Sequence, residues 1–128
     1  MVYRVLLAED EPNIVLSLKF IMKKAGIDVL VAEDGDQAIH AAEEHQPDAI
    51  LLDIMLPKRD GFSVCEAIKS NPKLSSIKVI MLTAKSRDAD RQRALGLGAD
   101  DYITKPFSNR ELVERLLELI KSDSPTEP

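Results

Sequence analysis

Five short apolar runs recur along the chain, and between them lie longer segments in which apolar residues return every three or four positions. Tyr3 to Ala8, Val29 to Ala32, Ala49 to Leu52, Lys78 to Leu82 and Asp101 to Thr104 read as strands. Ala49-Ile50-Leu51-Leu52 is apolar throughout, as a strand buried on both faces should be. The first helix opens with Asp10-Glu11-Pro12, an N-cap candidate with a proline in the first turn. It turns Ile14, Leu18, Ile21 and Ala25 inward and stops at Gly26. The second follows Asp34-Gly35, carries Ala38, Ile39, Ala41 and Ala42, and runs until Pro47. The third follows the loop from Ile54 to Gly61, passes through Val64, Ala67 and Ile68, and is closed by Asn71-Pro72. The fourth, Arg87 to Leu95, is crowded with Arg87, Asp88, Asp90, Arg91, Gln92 and Arg93, so it has few apolar anchors and is expected to be more mobile than its neighbours. The last starts from a Ser108 or Asn109 cap and faces Leu112, Val113, Leu116, Leu117 and Ile120 inward. Alternation of strand and helix predicts an α/β domain, a parallel sheet with helices on both faces.

Composition narrows the function more than the fold. The chain's 128 residues suit one domain over residues 1–121, with Ser122 to Pro128 as a tail or linker. Seventeen basic against 22 acidic residues give a net charge of −5, so there is no basic footprint for direct nucleic-acid binding. The apolar runs are too short to span a membrane and the N-terminus lacks a signal-peptide pattern, so a cytoplasmic location is expected. A single cysteine, Cys65, forms no internal disulfide and reads as helix filler, and His40 and His45 read as surface residues.

The polar residues that end the strands carry the chemistry. One strand ends in Glu9-Asp10, another in Asp53, another in Thr83, and the last in Lys105-Pro106. In an open parallel sheet the carboxyl ends of the strands share one edge, where ligands bind, so these residues are expected to converge. Three carboxylates at one mouth raise each other's pKa unless a cation intervenes. Mg²⁺ fits, since it takes hard oxygen ligands and needs only one or two direct carboxylates beside waters and a phosphate. Lys105 adds a point charge and Thr83 a hydroxyl, the groups a phosphoryl needs where its oxygens gather charge. A carboxylate beside Mg²⁺ can attack phosphorus to give an acyl phosphate, and Asp53, being central, is the candidate nucleophile.

The set Glu9-Asp10, Asp53-Ile54-Met55-Leu56-Pro57 with Asp60-Gly61, Thr83-Ala84 and Lys105-Pro106-Phe107 resembles a two-component response-regulator receiver domain, in order and over nearly the whole chain. The resemblance implies a doubly wound, flavodoxin-like sheet of order 2-1-3-4-5 with five helices. It implies a phosphoacceptor signalling domain, catalysing only its own phosphorylation and dephosphorylation, in which Asp53 takes a phosphoryl group from a phosphohistidine of a sensor histidine kinase or histidine phosphotransfer protein. By the same resemblance Asp10, Asp53 and the Met55 backbone carbonyl hold Mg²⁺, and Glu9 acts through a water. Thr83, the Ala84 backbone N–H and Lys105 hold the phosphoryl, and the Lys105-Pro106 bond is expected to be cis. Thr83 and Tyr102 form the switch. The output surface is the fourth helix, fifth strand and last helix, with Arg91, Asp101, Glu111 and Arg115 as the charge set of a homodimer formed on phosphorylation.

Glu9 stands where aspartate is commoner in this family, Lys58-Arg59 puts two cations in the loop beside the site, and Met55 and Lys85 occupy positions that tune dephosphorylation in the family. Three other readings compete. A Mg²⁺-dependent aspartyl-phosphate phosphatase wants an acid two residues after the nucleophile, where Met55 stands. A flavin binder would have its phosphate repelled by the acidic turn Glu9-Asp10-Glu11. A phosphorylation-independent, receiver-like binding module would not need every reactive position to be filled, yet here they are.

Overall fold

The computed structural model describes residues 2–83 and 88–121. The elements run β1 (Arg4–Ala8), α1 (Pro12–Lys24), β2 (Asp28–Ala32), α2 (Gly35–His45), β3 (Ala49–Asp53), α3 (Gly61–Lys69), β4 (Lys78–Thr83), α4 (Asp88–Gly96), β5 (Asp101–Thr104) and α5 (Asn109–Lys121). All strand pairs are parallel and the sheet order is β2-β1-β3-β4-β5, the doubly wound arrangement expected from the resemblance. The chain begins in the middle of the sheet, steps to one edge, then crosses β1 and winds outward to the other edge.

Strand alternation divides the core in two. Leu6, Ala8, Ile50, Leu52, Val79 and Met81 point to the face covered by α2, α3 and α4, where they meet Ala38, Ala42, Val64, Cys65, Ile68 and Ala94. Val5, Leu7, Ala49, Leu51, Ile80 and Leu82 point to the face covered by α1 and α5, against Leu18, Met22, Leu112, Leu116 and Ile120. Continuous apolar strands are therefore required, because neither face of the central strands meets water.

Local signals set most of the helix ends. Glu11 caps α1, its side chain accepting from the Asn13 N–H, with Pro12 at the first helical position where no N–H is needed. Asp34 and Asp60 cap α2 and α3 in the same way, accepting from the Gln37 and Ser63 N–H groups. Ser108 caps α5, its hydroxyl accepting from the Glu111 N–H at 3.3 Å. Gly26 follows α1 with φ 81°, and Gln46 ends α2 with φ 45°.

Three details differ from the sequence reading. The inner face of α1 is built on Leu18 and Met22, with Ile14 and Ile21 half-buried; Ala25 lies beyond the last helical turn as an exposed C-cap. In α3 the buried residues include Phe62 and Cys65, while Ala67 is half-buried. Strand β3 extends one residue further, to Asp53 itself.

Helix α4 buries only Ala94, as its polar sequence suggested, and leaves Leu95 exposed. Part of its hold on the domain is the Arg93 guanidinium stacked 4.1 Å from the centroid of the Phe62 ring on α3. The expected start of this helix at Arg87, and the tail Ser122 to Pro128, lie outside the described residues. Among the described residues, no helix is long and apolar enough to cross a membrane.

Cys65 is fully buried, and that burial pushes its thiol up to about 11. A folded-state pKa raised above the ordinary 9.0 favours the neutral thiol, so this contribution to stability is present below pH 9 and is lost as pH rises toward 11. At pH 8 the folded chain should therefore resist a disulfide reagent such as DTNB, with full labelling only after unfolding in guanidinium; rapid labelling of the native protein would contradict the buried assignment.

Candidate active site

Register brings the polar strand ends to one level. Ala8 pairs with Leu52, so Glu9 lies beside Asp53; Asp53 pairs with Leu82, so Thr83 lies one step beyond; Thr83 pairs with Thr104, so Lys105 follows. The alternation that places Leu51 on the α1 and α5 side places Asp53 there as well, between β1 and β4.

One oxygen from each of Glu9, Asp10 and Asp53 lies within 4.8 Å of the other two. Glu9 is buried, Asp53 nearly so, and Asp10 is exposed at the rim. Lys105 reaches in from the end of β5, with its ammonium 3.1 Å from Glu9 Oε1 and 3.6 Å from Asp53 Oδ2. The other Glu9 oxygen accepts the Glu11 N–H at 3.1 Å, and Asp53 Oδ1 accepts the Met55 N–H at 3.2 Å. Burial is the largest influence on Glu9, holding its carboxyl above the ordinary value of 4.5, and the neighbouring Asp53 charge pushes the same way. The Glu11 N–H and Lys105 oppose this.

Among the described residues the acids outnumber the cation in their midst, and all their donors are hard oxygens. That donor set fits a small divalent cation such as Mg²⁺, with Asp10 at the open rim of the cluster and Asp53 and Glu9 deeper in it. The Met55 side chain is exposed beside the mouth.

Thr83 is fully buried at the end of β4, and its carbonyl accepts the Lys105 N–H at 2.6 Å. Its side chain hydrogen-bonds Tyr102, whose ring is buried. Burial pushes the Tyr102 phenol up, and the Asp90 carboxylate adds to this. Lys105-Pro106 is a cis peptide bond. Ala84 and Lys85 lie outside the described residues.

On the α4, β5 and α5 side, Arg91 and Glu111 are exposed, whereas Arg115 and Asp101 form an ion pair that ties α5 to β5 within the chain. Sequence reasoning missed the contacts above the β3–α3 loop. Asp34-Gly35, read only as the start of a helix, touches Pro57, Lys58 and Arg59. Nothing in the spacing of these residues announces that contact, which forms only when α2 and the loop are stacked.

A sequence model of the family described as the response regulator receiver domain matches residues 5–117. Among solved structures, the chain is similar to the receiver domain of a Francisella response regulator, with 34% identity, TM-score 0.87, and coverage of 95% of this chain and 99% of that one. It is similar to the signal receiver domain of a signal transduction histidine kinase from Syntrophus aciditrophicus, at 34% identity and TM-score 0.89, covering 98% and 95%. A third relative is the receiver domain of a sensor histidine kinase from Pseudomonas aeruginosa, with a magnesium ion coordinated in its active-site cleft, at 34% identity and TM-score 0.86, covering 94% and 98%.

Proposed function

Because the chain belongs to the response regulator receiver domain family, we propose that Asp53 is a phosphoacceptor that receives a phosphoryl group from a phosphohistidine of a sensor histidine kinase or histidine phosphotransfer protein. The observation that carries this reading is the meeting of a nearly buried carboxylate, a lysine ammonium at 3.6 Å and two further carboxylates at one sheet edge. A carboxylate oxygen of Asp53 attacks phosphorus, the P–O bond forms as the P–N bond breaks, and the imidazole leaves with the electron pair. Hydrolysis reverses the gain, with water attacking phosphorus and the carboxylate leaving.

The residues divide the work. Asp10, Asp53 and the Met55 carbonyl would hold Mg²⁺, with Glu9 acting through a water. When bound, the cation supplies positive charge for the phosphoryl oxygens and relieves repulsion between the acids. Lys105 neutralises charge on the transferred group, and Thr83 with the Ala84 N–H hydrogen-bonds its oxygens. Leu16, exposed on α1 in the hollow shared with Glu9 and Asp10, together with Met55, gives a phosphodonor protein apolar surface near the mouth.

The output is a population shift. The phosphoryl draws Thr83 toward it and further populates the arrangement in which the Tyr102 ring, buried already in this structure, lies inward, with the surface of α4, β5 and α5 that goes with it. The hydrogen bond between Thr83 and Tyr102 supports this coupling. Arg91 and Glu111, exposed on that surface, are suited to pairing with a second copy in the cytoplasm, and Asp101 and Arg115 would join them by exchanging their ion pair within the chain for one across the dimer. The binding-module alternative has no observation in its favour.

Intact-mass analysis after incubation with acetyl phosphate tests the reading. One added phosphoryl group, formed with Mg²⁺ and lost when EDTA is present from the start, is the expected result. No gain from acetyl phosphate or from a phosphohistidine donor would sink it.

A further inference from the structure

The loop that follows Asp53 is held at both ends by glycines. At its base, a Cβ on Gly61 would lie 2.6 Å from the Asp53 carbonyl oxygen and 2.8 Å from Ile54 Cα, and the Gly61 N–H donates to the Ile54 carbonyl at 2.9 Å. Its crest is gripped by the first turn of α2. The Gly35 N–H donates to the Pro57 carbonyl at 3.1 Å, and a Cβ on Gly35 would lie 2.2 Å from the Arg59 carbonyl oxygen and 2.3 Å from Arg59 Cβ. Between these, Lys58 adopts φ 67°, a left-handed conformation uncommon for a long side chain, and its ammonium lies 3.5 Å from Asp34 Oδ2. The N-cap of α2 and its first residue thus engage three consecutive residues of the loop.

We propose that Gly35 is a positioning residue for the phosphoacceptor site: by letting α2 seat against Pro57, Lys58 and Arg59, it fixes the loop that carries Met55 and so the aim of Asp53. The inference rests on the reading of Asp53 as a Mg²⁺-supported phosphoacceptor. The loop and the carboxylate are mechanically joined, since the Met55 N–H donates to Asp53 Oδ1 at 3.2 Å. Raising the crest by the margin a Cβ needs would swing Met55 relative to Asp53 and alter the oxygens presented to a cation. Asp34 serves both ends of the arrangement, with Oδ1 capping α2 and Oδ2 holding Lys58.

The test is calorimetric titration of Mg²⁺ into the phosphate-free chain, paired with urea unfolding. Gly35→Ala should weaken Mg²⁺ binding about tenfold, the scale seen when partners that orient metal ligands are removed. Ala42→Gly, buried in the same helix but remote from the loop, should lower the urea midpoint while leaving Mg²⁺ affinity unchanged. Affinity that simply tracks stability across the two variants would overturn the proposal, as would unchanged affinity in Gly35→Ala. Should Gly35→Ala fail to fold, Lys58→Gly answers the same question. It suits φ 67° and removes a positive charge, which alone would tighten a cation, so weaker binding supports the positioning role and tighter or equal binding refutes it. Absence of Mg²⁺ binding by the parent chain is a different failure: it removes the proposed function, and this inference with it.

Discussion

Asp53→Asn should take up no phosphoryl group from acetyl phosphate, yet unfold at a higher urea concentration than the parent chain. The two effects have one origin. The amide keeps the shape of the side chain and its acceptor for the Met55 N–H, but it is no longer a nucleophile toward phosphorus. Removing its charge also relieves Glu9, whose carboxyl is held up partly by Asp53. Lys105, which faces both acids, remains to neutralise Glu9. The stability gain should be on the order of 1 kcal/mol, because Asp53 is nearly buried and like-charge repulsion there is poorly screened. The same substitution should weaken Mg²⁺ binding by removing one of the acids of the cluster. Intact mass, urea unfolding and calorimetry on one preparation would check all three. Phosphoryl uptake equal to the parent's would show that another residue is the acceptor, and reduced stability would show that the cluster is not under repulsion.

That a functional carboxylate strains the fold explains why it was visible in the sequence. Asp53 ends a strand whose four preceding residues are buried on both faces, a position that packing alone would fill with another apolar side chain. Glu9, Thr83 and Lys105 stood out for the same reason, and parallel register then left them no choice but to meet. The strand order needed more than periodicity, because alternating strands and helices fit several windings, and it was the family resemblance that selected one. Helix faces were less legible where two apolar residues competed. Met22 rather than Ala25 completes the α1 stripe because the helix ends at Lys24, and end positions are where spacing arguments are weakest. The seating of α2 on the β3–α3 loop was not legible at all, since Asp34-Gly35 has the same appearance as any helix start.

The stability of Lys105→Ala should depend on pH in a way that reports its partner. In the parent chain the ammonium lies between Glu9 and Asp53 and opposes the burial that holds the Glu9 carboxyl above 4.5. Without it, Glu9 is left as an uncompensated buried acid and its carboxyl rises further. An acid whose folded-state pKa is raised contributes stability that is present below its unfolded value and lost as pH rises through the folded value. Near pH 4.5 the deficit of the variant should therefore be small, reflecting mainly lost packing of the lysine stem. Toward pH 7.5 it should grow to about 1–3 kcal/mol, on the scale of leaving a buried charge without its partner. Saturating Mg²⁺ should narrow the gap at neutral pH by supplying the missing positive charge, while some phosphoryl uptake survives because Asp53 is intact. Urea unfolding at the two pH values, with and without Mg²⁺, distinguishes the alternatives. A deficit of the same size at both would mean that Lys105 acts by packing alone and that Glu9 does not depend on its charge.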